Sequence, residues 1–235
     1  MTRAVGYSRS PGISDGAAGV RTGGRAHVRT DVENRTRRMT TRSRILIAVT
    51  ALLLLATYAL PLWKIELQAP QYPEGIGMYI RLDTIEGVKP HDLTNINGLN
   101  HYIGMARIEP ESFPELRLMP WLLGGLIALG LLTAWTARRG LLYAWTGVLL
   151  VAALAGMTDF YVWGYQYGRN LDPRAAIKVP GLSYQPPIIG SKKLLNFTAH
   201  SWPASGGWIA IGAGMTIVLV AGAELRRGRR VWHAP

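Results

Sequence analysis

Four uninterrupted apolar runs divide the chain, at about 45–63 ("ILIAVTALLLLATYALPLW"), 119–137 ("MPWLLGGLIALGLLTAWTA"), 141–164 ("LLYAWTGVLLVAALAGMTDFYVWG") and 206–223 ("GGWIAIGAGMTIVLVAGA"). Each approaches the ~20 helical residues that cross a hydrocarbon core of ~30 Å. Between the first and second runs, and between the third and fourth, lie polar segments at 64–118 and 165–205, far longer than a helix hairpin requires. The pattern predicts an all-α membrane protein: four transmembrane helices, with two long outer segments that carry short helices and at most a short strand. In the first segment "MYIRLDTI" alternates as a strand does, while Leu93, Ile96, Leu99 and Ile103 recur at helical spacing between Asp92 and Pro110. In the second, "SKKLLNFTAHSWP" is expected to form a short helix capped by Ser191 and stopped by Pro203.

Charge adds an orientation. The 235 residues carry a formal net charge of +12, with ten Arg before residue 45, Arg138 and Arg139 between two runs, and Arg226, Arg227, Arg229 and Arg230 near the end. Placed on one side, these clusters obey the positive-inside rule, so both termini are expected in the cytoplasm and both long segments outside a bacterial inner membrane. A nucleic-acid role is set aside, because the basic N-terminus has no aromatic interleaving and no periodic helix. The lipid bilayer is the expected first partner. Residues 1–38 read as a disordered basic tail or as sequence upstream of a start at Met39; 39–225 form the membrane domain and 226–235 a basic tail. The first run also has the basic flank and the "TYA" of a cleavable signal.

The outer segments are where a specific activity is expected, and the chain has no Cys. Asn97, His101 and Met105 recur every four residues, and Asn196 and His200 repeat the first spacing. Imidazole and thioether together select Cu(I) over hard cations. The candidate metal ligands are therefore His101, Met105, His200 and Met78, with His91 a weaker option and Asn97 and Asn196 as supports for the imidazoles. The plainer reading makes the histidines interfacial and the methionines packing groups. Asp159, near the outer end of the third run, is a candidate by position or one member of an aromatic belt. Gly124 with Ala128, and Ala152 with Gly156, suggest close helix packing. No catalytic set emerges.

The segments "LPLWKIELQAPQYPEGIGMYI", "DLTNINGLNHYIGM" and "GSKKLLNFTAHSWPASGGW" resemble an uncharacterised family of bacterial four-helix membrane proteins associated with copper-enzyme and nitrous-oxide reductase gene neighbourhoods. The resemblance covers about residues 45–223 and implies copper handling outside the membrane, alongside a cuproenzyme or its maturation machinery. Two functions follow as expectations: an accessory protein that holds or passes Cu(I), or a metal-free structural or assembly subunit of a respiratory complex. A small copper- or quinone-dependent enzyme ranks last.

Overall fold

The computed structural model describes residues 38–177, 179, 181, 183–194 and 196–232. The basic tail expected over 1–38 lies, but for its last residue, outside them.

Helices α1 (Thr41–Leu53, continued as a 3-10 turn over Leu54–Tyr58), α3 (Pro114–Thr136), α4 (Arg139–Arg169) and α5 (Ser205–Trp232) follow the four apolar runs. All four are long and apolar enough to cross a membrane. They meet around Ile47, Ala51, Leu142, Trp145 and Ile217, all buried. Trp145 donates from Nε1 to the Leu126 carbonyl at 2.8 Å, and its ring occupies a notch at Gly130, where a Cβ would stand 2.4 Å from Cζ2. That notch is the close approach between α3 and α4. Among the described residues a Cβ at Gly156 would meet nothing within 4 Å, so they form no seam at the Ala152–Gly156 pair.

The expectation of an all-α protein is corrected by a five-stranded antiparallel sheet in the order β3-β2-β1-β5-β4. The first outer segment supplies β1 (Trp63–Ala69), β2 (Tyr72–Ile80) and β3 (Ile85–Gly87), and the second supplies β4 (Gly190–Leu194) and β5 (Phe197–Pro203). The expected helix over 191–203 is thus a hairpin. There Ala199, Ser201 and Pro203 alternate inward against Thr198, His200 and Trp202, a period of two rather than 3.6. In β1, Ile65 and Leu67 alternate with Lys64, Glu66 and Gln68 in the same way; the strand is hard to see in the sequence because Trp63 abuts the preceding apolar run. The glycines of "YPEGIGMYI" are strand residues. A Cβ at Gly77 would lie 2.9 Å from Val88 Cγ2 and 3.2 Å from the Ile65 carbonyl, and Gly75 has φ +73°.

The sheet is fused to the bundle where its central strand β1 begins and the neighbouring β5 ends. Ala204 donates its N–H to the Leu62 carbonyl at 3.0 Å and Gly206 donates to Pro61 at 2.9 Å, which ties the start of β1 to the start of α5. One sheet face, with Ile65, Ile76 and Met78, packs under helix α2 (Asp92–Ile103) and against Phe160, Trp163 and Tyr167 of α4. This explains the length of α4. Its 31 residues span ~46 Å at 1.5 Å per residue, well beyond a ~30 Å core, and the surplus turns prop up the sheet.

Candidate functional site

Helix α2 begins at Asp92, whose buried carboxylate accepts from Gly77 N–H at 2.9 Å and Lys89 N–H at 3.1 Å. Ile96 turns inward beneath the sheet. The helix ends where Gly104 takes φ +81°, and a Cβ there would meet Ala175 at 2.9 Å and the Asp172 backbone at 3.0 Å. Asp172 N–H donates to the Gly104 carbonyl at 2.8 Å and Ile177 N–H to Tyr102 at 2.9 Å, so the second outer segment clasps the end of α2.

This geometry breaks the Asn97–His101–Met105 stripe. Met105 lies past the left-handed residue, where the chain has already reversed, and its N–H donates to the Asn100 carbonyl at 2.9 Å. Asn97 does not orient an imidazole: it accepts from Ile108 N–H at 2.8 Å and donates to the Ile108 carbonyl at 3.1 Å, holding the returning chain. His101 is exposed, with its ring 6.0 Å from that of Tyr102 in an edge contact. His91 is exposed just before α2, and Asn196 sits exposed in the β4–β5 turn.

Met78 and His200 are separated by the sheet itself. Met78 pairs with Ile65 and is 4% exposed within the core, whereas His200 pairs with Glu66, one residue along β1 and therefore on the other face. The four proposed copper ligands do not converge. Among the described residues no group of three or more His, Asp or Glu could hold a metal ion.

What sequence reasoning missed is the second face of the sheet. Its rows run across the strands: Trp202, Lys64 and Tyr79, then Ser191, His200 and Glu66, then Lys193, Thr198 and Gln68. Ser191 Oγ lies 2.6 Å from His200 Nδ1, and Lys64 Nζ lies 2.7 Å from Glu66 Oε2. The middle row holds a serine, an imidazole and a carboxylate, but its carboxylate is paired with a lysine and its serine sits on Nδ1. It is therefore not wired as a nucleophile with a general base. The face is a polar, half-exposed surface with fixed hydrogen-bonding and charged groups. The signal that could have found it is the alternation Lys64, Glu66, Gln68.

At the opposite end of the bundle, Glu224 is fully buried. It accepts from Ser43 Oγ at 2.6 Å, from Thr40 N–H at 3.1 Å and from Arg139 Nε at 3.0 Å, joining α1, α4 and α5. Arg44 donates from Nε to the Ala134 carbonyl at 2.9 Å and so caps α3. This network is structural. Asp159 is exposed beside Phe160, whose ring lies 5.3 Å from Trp63, and it marks the level at which α4 leaves the apolar bundle for the sheet.

Comparison with protein-family models and with characterised proteins finds no match to this chain.

Proposed function

We propose that the protein is a membrane-anchored docking subunit, a structural or assembly component whose sheet engages a partner protein outside the cytoplasmic membrane. One observation carries the reading: both long segments contribute strands to a single sheet that is joined to two spans, buried on one face and open and polar on the other. A surface held this rigidly suits recognition, because little order is lost when a partner binds. Support for the orientation comes from Arg138, Arg139, Arg226 and Arg227, which lie at or near the bundle end opposite the sheet, in the arrangement the positive-inside rule requires of cytoplasmic residues. The test is the size of the complex extracted from native membranes in mild detergent. A chain that migrates alone at every protein-to-detergent ratio would sink the docking role.

A second reading, copper handling, is favoured by the exposed imidazole of His101, with Met105 beyond the turn at Gly104, and by the family resemblance. It requires the partner to complete the ligand set, since Cu(I) needs more soft donors than these two. Copper measured per purified chain after Cu(I) loading separates the readings. Stoichiometric copper that is lost in His101→Ala would replace docking with metal handling.

A further inference from the structure

We infer that the free edge of β4 accepts an extended, acidic segment of the partner as a sixth strand. The inference rests on the docking reading and adds to it the site and the chemistry of the partner. The direction of each backbone group follows from the ladder. Gly77 turns its N–H to Asp92 and accepts from Val88 N–H at 2.9 Å, so its hydrogen-bonding groups point away from β1. Period two then makes Met78 exchange hydrogen bonds with Ile65, and Glu66 with His200, and leaves Ser191 opposite His200 in a non-hydrogen-bonded pair. Side chains approach most closely in such pairs, which agrees with the 2.6 Å contact between Ser191 Oγ and His200 Nδ1. Consequently the N–H and C=O groups of Ser191 and Lys193 point outward from the sheet. Among the described residues nothing bonds them.

The opposite edge offers no such template, because β3 is three residues long and α2 packs beside it. On β4, Ser191, Lys192 and Lys193 are all exposed, and the two lysines project to opposite faces, Lys192 Nζ donating to the Gln185 carbonyl at 3.1 Å. A second copy of this chain pairing along β4 would bring lysine against lysine, a common device against self-association at sheet edges. An extended segment with an acidic residue at every second position would instead pair with the Ser191 and Lys193 backbone and set its carboxylates beside Lys193. This is strand addition with charge selecting the guest.

The test uses the full chain in detergent and two synthetic probes, peptides alternating valine with glutamate or valine with lysine. The acidic peptide is expected to bind at low salt and to slow amide exchange at Ser191 and Lys193. Lys193→Pro removes one outward N–H without touching the bonds to β5 and should weaken binding by roughly tenfold. Lys193→Glu, which leaves the backbone intact should the proline variant fail to fold, should shift preference toward the basic peptide. Equal binding of both peptides, no binding of either, or Ser191 and Lys193 amides already as slow as that of Lys192 in the free protein would overturn the inference. A native complex that persists in Lys193→Glu while the acidic peptide is ignored would remove this edge and leave the docking role standing. Peptide binding by a chain that forms no native complex would remove the docking role alone.

Discussion

Three residues test how tightly the fold is specified. A Cβ at Gly207 would lie 2.1 Å from the Leu62 carbonyl, where β1 and α5 meet, and no flexible side chain is there to yield. Gly207→Ala should therefore cost at least about 1–3 kcal/mol, read as a fall in thermal midpoint in detergent. Glu224→Ala strands Arg139, whose side chain is 13% exposed, and should cost about 3–5 kcal/mol. Replacing both residues with leucine should recover much of that loss; a double variant no better than the single one would show the pair to be more than charge compensation. Tyr184 behaves differently. Its hydroxyl is buried without a partner among the described residues, its ring stacks on Phe197, and burial pushes its pKa above the ordinary phenol value. A raised folded pKa means that the stabilisation is complete below the unfolded value of about 10 and is lost as pH rises through the folded value. Tyr184→Phe should be neutral or stabilising at pH 7 and should flatten the decline above about pH 10. A large loss at pH 7 would reveal a bond to the hydroxyl.

At the level of elements, the spans were legible and the sheet was not. A membrane helix declares itself within one window, and all four were found from the apolar runs, with ends displaced by up to nine residues: Pro114 starts α3, α4 and α5 continue past the apolar stretch, and the end of the first run enters β1 at Trp63. The strands are short, and the chemistry that shapes β2 resembles turn chemistry, because Pro73, Gly75 and Gly77 read as punctuation until Val88 and Glu66 are seen against them. The decisive pairing, β1 with β5, joins residues more than 120 positions apart and leaves no local trace. The same failure scattered the candidate site: His101 and Met105 share a helical spacing that Gly104 interrupts, and His200 lies on a strand whose parity sets it opposite Met78. The Ser191–His200 contact is exposed, so His200→Ala should change stability by less than about 1 kcal/mol. A larger loss would mean that the pair fastens the β4–β5 hairpin.

For the whole molecule, the sheet and the arginine-rich helix ends sit at opposite poles, which makes topology the most direct check on any extracytoplasmic role. A periplasmic reporter inserted near residue 95 or 185 should be active and one placed after Arg230 should not; the reverse pattern would remove docking and copper alike. Removal of residues 1–38 should leave membrane yield unchanged, since they carry no apolar periodicity and a basic start to the first membrane helix begins at Met39.

Biosynthesis imposes an order on this architecture. β1 is made early, but the strand that completes it, β5, follows about 130 residues later, after two more spans have been threaded. At ~5–20 residues per second that interval is roughly 6–26 s, during which the future centre of the sheet is an edge. The growing chain therefore spends its most adhesive moments half-built, and slowed synthesis through the α4 coding region should raise misassembly more than the same delay placed after Pro203.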